Sequence, residues 1–227
     1  MNTKIKILIG EENFQKIQNA KICVAGIGGV GGFVVENLVR SGIQNLCIID
    51  FDVVEETNIN RQIMATHSTI GRLKVDVMKE RILDINPNIN LEVCDRKMSP
   101  TNLDTFNFER FDYVVDCIDM RLSKIALIEH CANNNIKIIC ALGTGNRFGL
   151  PNFEVKDIFE TQNDPLAKIL RKRLRKLNVG PIPCVCSNDL ANIKRSNPAS
   201  VMWQPCSAGC IISAWIMNEI IKEKEEN

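Results

Sequence analysis

The 227-residue sequence predicts an α/β fold: a doubly wound, mainly parallel sheet with a C-terminal elaboration. Three observations lead there. Short apolar runs of strand length alternate with segments whose apolar residues recur at helical spacing. A glycine-rich turn follows the first such run and opens a helix. No repeat, low-complexity tract or linker breaks the alternation, as expected of strand–helix–strand units wound about one sheet.

The first strand is "KICVAG" at 21–26. From Gly29 to Ser41, Val30, Phe33, Val34, Leu38 and Val39 recur as on one face of a helix. "NLCIID" at 45–50 is the second strand, and Val75, Met78, Ile82 and Ile85 within 71–85 mark the second helix. "NLEVC" (90–94), "DYVVDC" (112–117) and "IKIICAL" (136–142) read as three more strands. Between the last two, "RLSKIALIEHCANN" is a helix whose closing Asn run suits a C-cap.

After Pro151 the character changes. "NFEVKDIF" is a strand, "NDPLAKILRKRLRKL" a basic helix with Pro165 in its first turn, and "GPIPCVCSND" a turn and strand. "SAGCIISAWIMNEIIKEKEE" closes the chain as a helix with a charged tail. One domain, 1–227, is expected, with a nucleotide-binding core at about 20–145 and a substrate-side region at about 150–227.

The chain is 45% apolar and 24% charged with a net charge of +1, so it can bury a sizeable core and has no global attraction for nucleic acid or membrane. "MNTKIKILIGEENF" does not read as a secretory signal. "CIISAWIMNEII" is broken by Asn218 and Glu219 and is too short to span a bilayer. A cytoplasmic protein without membrane contact is expected. Cys23, Cys47, Cys117 and Cys140 sit in apolar runs and read as small buried residues.

"GIGGVG" spaces Gly26, Gly28 and Gly31, with Gly29 between, as in a Rossmann-like dinucleotide fingerprint. Such glycines permit a tight turn and aim the free amides of a helix start at anionic oxygens. Asp50 ends the next strand, where it can accept from ribose hydroxyls, and Asp52 follows. A dehydrogenase and an ATP-using enzyme share everything to this point. Asn58 and Arg61 in "TNINRQ", Lys74 in "GRLKVD" and Asp119 in "DCID" separate them. Hydride transfer gives two extra cations no job. A triphosphate does: Arg61 and Lys74 neutralise leaving pyrophosphate, and Asp119 serves a magnesium ion. Taken singly, Lys74 reads equally as a solvated helix position and Arg61 as a surface ion-pair partner.

From Gly26 through Asp119 the chain resembles the ThiF/MoeB/ubiquitin-activating adenylyltransferase superfamily, over roughly residues 5–145. The resemblance implies ATP-Mg²⁺ binding and transfer of AMP to a carboxylate. It implies Asp50 at the ribose, Asn58, Arg61 and Lys74 at the phosphates, and Asp119 at the metal-triphosphate. "LIGEENFQKIQNAKICVAGIGGVGG", "YVVDCIDMRLSKIALIEHC", "NDPLAKILRKRLRK" and "QPCSAG" narrow this to a resemblance to the bacterial tRNA threonylcarbamoyladenosine dehydratases. That implies cyclisation of threonylcarbamoyladenosine at position 37 of tRNA, with a homodimer as the working form. It leaves open a monovalent cation (Na⁺ or K⁺) and a sulfur-transfer protein partner. Two departures stand out. Lys4 replaces an Arg that reaches across the dimer to the partner's ATP, keeping the charge but losing the forked geometry. The stretch between Cys186 and Cys206, where substrate-side loops would lie, is also short.

Cys184, Cys186, Cys206 and Cys210 are spaced C-x-C and C-x-x-x-C, neither of which is the knuckle that favours zinc. Cys206, placed just before the last helix, is a candidate nucleophile with a lowered pKa; the alternative is a packed thiol. In the basic helix, Leu166, Ile169, Leu170, Leu174 and Leu177 form a packing stripe. Lys168, Arg171, Lys172 and Arg175 remain for tRNA phosphates or plain solvation. The rival functions are activation of a ubiquitin-like or sulfur-carrier protein, a non-catalytic nucleotide- or tRNA-binding scaffold, and, weakest, an NAD-dependent oxidoreductase.

Overall fold

The computed structural model describes residues 3–187, 189 and 199–222. Most of the stretch between Cys186 and Cys206, and the charged tail after Lys222, lie outside the described residues. Two short helices, α1 (Thr3–Ile9) and α2 (Glu11–Asn19), come first. There follow β1 (Lys21–Ala25), α3 (Gly31–Arg40), β2 (Asn45–Ile49), α4 (Lys74–Ile85) and β3 (Asn90–Cys94). Next are β4 (Tyr113–Asp116), α5 (Arg121–Asn133), β5 (Ile138–Ala141) and β6 (Glu154–Asp157). The chain closes with α6 (Pro165–Lys176), β7 (Pro183–Cys186) and α7 (Trp203–Lys222).

The strands form one sheet in the order β3-β2-β1-β4-β5-β7-β6, parallel throughout except that β6 runs antiparallel to β7. The chain winds outward from β1 to β3, then returns to the other side of β1 to lay down β4. At that reversal the loops leaving β1 and β4 diverge, which opens a crevice at the carboxyl end of the sheet.

β1 and β4 are covered on both faces, so they read as unbroken apolar runs rather than alternating ones. The period of two survives in what each residue meets. Ile22, Val24, Ile48 and Val115 pack into the cluster that includes α3, α4 and α7. Cys23, Ala25, Cys47 and Val114 face the opposite cluster, with α5 and α6. Cys131, Cys140, Cys184 and Cys186 join that second face as buried free thiols. Cys117, by contrast, is only half-buried.

The elements end where their chemistry dictates. Asp164 caps α6 by accepting from the Ala167 amide at 2.9 Å, with Pro165 at the first helical position, where a missing N–H costs nothing. Beyond α5, Asn135 takes φ 54°, a left-handed conformation that Asn tolerates. α7 starts at Trp203, earlier than the sequence pattern indicates, so Cys206 lies inside its first turn rather than ahead of it. Along α6, Ala167, Leu170 and Leu174 are buried, while Ile169 is 40% exposed and does not join the packing stripe. No helix among the described residues is long and apolar enough to cross a membrane.

Candidate active site

The crevice between β1 and β4 is the mouth of a cavity of about 790 Å³. Gly26 turns the chain out of β1 with φ 81°, and a Cβ there would meet the Cys117 carbonyl at 2.8 Å. A Cβ on Gly31 would sit 1.9 Å from the Gly26 carbonyl. These two glycines fold strand, turn and helix together, while Gly28, Gly29 and Val30 face the cavity. Gly31 therefore serves packing and does not line the site as expected. Val30 gives the start of α3 no side-chain cap; the Gly32 amide donates to the Gly28 carbonyl and the Phe33 amide to the Val30 carbonyl, each at 3.0 Å, and the positive end of the helix meets the cavity at Gly29 and Val30.

Asp50 sits on the opposite wall, 8% exposed. One carboxylate oxygen accepts from the Ile27 amide at 2.8 Å and the other from the Asp52 amide at 3.0 Å. The carboxylate is thereby fixed between the glycine turn and the end of β2, with lone pairs to spare for ribose hydroxyls. Burial raises its pKa, against the opposing pull of Lys74. Lys74, at the start of α4, is buried and donates to Asp52 at 2.8 Å; its backbone amide donates to the Asp52 carbonyl.

The segment 55–62 is a compact turn. Asn58 does not line the cavity. Its Oδ1 accepts from the Glu55 amide at 3.2 Å, and its carbonyl accepts from the amides of Arg61 and Gln62. Asn58 thereby shapes the loop that presents its neighbours. Arg61 does line the cavity, its guanidinium held by the Thr57 carbonyl at 2.7 Å and Asn60 Oδ1 at 3.1 Å. Gln62 lines it too, and its buried Oε1 has no hydrogen-bond partner among the described residues, which leaves a ready acceptor for a ligand's donor.

Asp119, in the loop after β4, presents an exposed carboxylate to the same cavity. No three His, Cys, Asp or Glu side chains gather into a metal cage among the described residues. This donor set suits magnesium, which is commonly held by one or two carboxylates plus a substrate's phosphates.

The far end of the cavity is built from Gly143, Thr144, Gly145, Leu166, Ala199 and Ser200. Asp164, besides capping α6, accepts from the Gly143 amide at 3.0 Å, which docks the start of the basic helix on the end of β5. Asn60 donates to the Ser200 carbonyl at 2.9 Å, and Asn146 and Ala199 exchange two hydrogen bonds of 2.7 and 2.8 Å. Arg96 adds a further cation, packed 4.6 Å over the Phe106 ring. Gln62 and Asn60 belonged to the same short motif as Arg61. Arg96, Ala199 and Ser200 carry no local signal, because only tertiary folding brings them to the site.

Gly26, Gly28, Gly29, Asp50, Asp52, Arg61, Lys74 and Asp119 thus share one cavity. Lys4, on α1, is exposed and outside it. Lys168, Arg171, Lys172 and Arg175 run along α6 away from the cavity; Arg171 is partly engaged by Thr161 and Arg175 by the Phe159 ring. Cys206 does not line the cavity, although Pro205 beside it does. Burial and the neighbouring Cys210 push its thiol up to about 11, the reverse of the lowering expected at a helix start. Burial likewise lifts Cys117 in the cavity wall to about 12.

A model of the ThiF family matches residues 1–148. A Bacillus subtilis (strain 168) tRNA threonylcarbamoyladenosine dehydratase is 33% identical over 239 residues, 97% of this chain and 94% of that protein. Among solved structures, the E. coli tRNA N6-threonylcarbamoyladenosine dehydratase in complex with AMP matches with a TM-score of 0.93 at 32% identity, covering 100% of this chain and 96% of that one. The complex of the same E. coli protein with ATP matches with a TM-score of 0.92 at 31% identity, covering 99% of this chain and 95% of that one.

Proposed function

This chain belongs to the ThiF family, and on that premise we propose that it is an ATP-dependent dehydratase that cyclises N6-threonylcarbamoyladenosine at position 37 of tRNA. The observation that carries the reading is one continuous cavity. Its near end has the glycine turn, Asp50, Arg61, Lys74 and Asp119 of a triphosphate site, and its far end has room for a second substrate. Likeness to dehydratases along nearly the whole chain supports tRNA as that substrate, where the sulfur-carrier reading would need a protein C-terminus.

In this reaction the substrate's threonine carboxylate attacks the α-phosphorus of ATP, and the bond to the β-phosphate oxygen breaks to release pyrophosphate. Lys74 and Arg61 stand where charge grows on the departing group, and such fixed donors stabilise the transition state more than the ground state. A magnesium ion carried in with the triphosphate would be held by Asp119 and would neutralise phosphoryl charge. The acyl-adenylate then closes on itself: a ureido oxygen or nitrogen attacks the carbonyl, a ureido N–H gives up its proton, and the acyl–phosphate bond breaks to release AMP. Five-membered closure has a high effective concentration, so no enzyme nucleophile is required. That agrees with the raised thiols of Cys206 and Cys117. The wall made by Ala199, Ser200 and Pro205 shields the adenylate from water.

The working form is a homodimer in the cytoplasm, with Lys4 of one copy serving the other's triphosphate. Supporting this, Lys4 lies outside its own cavity and α1 leaves Ile7 75% and Leu8 82% exposed. The test is mass spectrometry of adenosine-37 nucleosides from modified tRNA incubated with the protein and ATP. Loss of one water from the nucleoside, matched by release of AMP, is the expected result. AMP release driven by a carrier protein instead, with the nucleoside unchanged, sinks the proposal.

A further inference from the structure

Beside the far end of the cavity the surface carries a patch that the adenylation chemistry does not use. Phe148 and Trp203 are 62% and 42% exposed, their ring centroids 5.2 Å apart at an interplanar angle of 69°. Leu150 is 93% exposed and Met202 44%. Exposed aromatics are scarce in this chain, which has only 5% aromatic residues, so their pairing here calls for a cause.

The pair is held in place from within. The Gly149 carbonyl accepts from Trp203 Nε1 at 3.3 Å and from Gln204 Nε2 at 2.8 Å, pinning the loop after β5 to the first turn of α7. With its only polar atom engaged by that carbonyl, the indole offers solvent a π-face and an apolar edge. Such a surface matches a flat ring rather than a hydrogen-bonding group. Its position is equally specific. Gly143–Gly145 upstream of Phe148, and Ser200 and Pro205 on either side of Trp203, all line the cavity. A substrate whose reacting nucleotide enters the far end must lay its neighbouring nucleotides on the rim. Arg61 and Arg96 line the same cavity, so the surroundings favour a polyanion.

We propose that Phe148 and Trp203 form a stacking platform for an unpaired base next to the nucleotide being modified. The inference rests on the tRNA reading above and deepens it: the platform would select RNA whose target lies in a single-stranded loop, where bases are free to splay out. Aromatic stacking tolerates any base, so it would contribute affinity without narrow sequence demands.

The test compares wild type, Phe148→Ala/Trp203→Ala and Trp203→Phe on an anticodon stem-loop RNA carrying threonylcarbamoyladenosine. AMP release, calorimetric ATP affinity and mass in solution are measured for each. A Trp215→Phe background makes Trp203 the sole indole for fluorescence titration with the same RNA. The expected result is quenching of Trp203 by RNA and a KM for RNA about tenfold or more higher in the double alanine variant. ATP affinity, kcat and mass should stay unchanged, with Trp203→Phe close to wild type. Equal KM values in wild type and the double variant overturn the platform while leaving the dehydratase reading intact. A change in mass overturns it in favour of a second copy of the chain on this face. Quenching by RNA without AMP release in wild type supports the platform and removes the dehydratase reading.

Discussion

Lys74 and Asp50 are both buried, yet they answer to different forces. Lys74 is held by one partner, Asp52, whose side chain is 48% exposed, so the ammonium can turn to a phosphate at little electrostatic cost. Lys74→Met should leave the melting temperature nearly unchanged and slow ATP–pyrophosphate exchange by about a hundredfold or more. Unchanged exchange would show that the lysine has no part in the transition state. For Asp50, burial holds the folded pKa above its unfolded value, so the ionised carboxylate costs stability at neutral pH. That cost is relieved as pH falls through the raised pKa, but protonation removes an acceptor the ribose needs. ATP affinity should therefore start to fall at a higher pH than an ordinary aspartate would give. Asp50→Asn should bind ATP weakly at every pH and lose that acid-side onset; calorimetry across the acid range checks both. At this scale, charged groups on short motifs were legible because the chemistry demands their type and order. Asn58 is harder to assign from sequence, because an amide suits a phosphate and a turn equally well. Gly31 is harder to assign for a like reason, since one missing Cβ serves ligand approach and helix packing alike.

At the scale of elements, the turn at 55–62 and helix α7 matter most for the site. Asn58→Ala removes the side-chain acceptor that orders the turn and should cost about 1 kcal/mol. Because Arg61 and Gln62 ride on that turn, the KM for ATP should rise with it; a stability loss with an unchanged KM would divorce the turn from the site. α7 lies against α3 at Gly209, where a Cβ would come within 2.9 Å of both Phe33 Cβ and the Val30 carbonyl. Gly209→Val should cost about 1–3 kcal/mol by overpacking and weaken ATP binding by shifting the amides at the start of α3. Denaturant melts and ATP titration on the same protein measure the two effects. Helices α3 and α4 are readable from the spacing of their apolar residues, and strands β1, β4 and β5 from short unbroken apolar runs. α1 and α2 carry little signal in the sequence: α1 buries no side chain and α2 buries only Phe14 and Ile17, too few to show a period. The early start of α7 was hidden by Pro205, which is tolerated in the first turn of a helix.

Across the whole molecule, the sheet is tied together under the site by a buried ion pair. Lys124 on α5, 1% exposed, donates to Asp116 on β4 at 2.7 Å and to the Ala141 carbonyl on β5 at 3.0 Å. The loops leaving those two strands carry Asp119 and Gly143. Lys124→Met leaves Asp116 buried without its cation and should cost about 3–5 kcal/mol, whereas Asp116→Asn/Lys124→Met should recover most of that loss. A chemical denaturation series decides, and a single variant as stable as wild type removes the strut. The sheet's winding followed from strand–helix alternation, but the placement of β7 between β5 and β6 did not, since β6 is antiparallel and lies on the edge. The clasp of Asn60 and Asn146 on residues 199–200 has its own reach. A ribosome makes the glycine turn early and the clasped wall late. The wall that would confine an activated acyl group is therefore complete only once residues 199–200 have joined the chain.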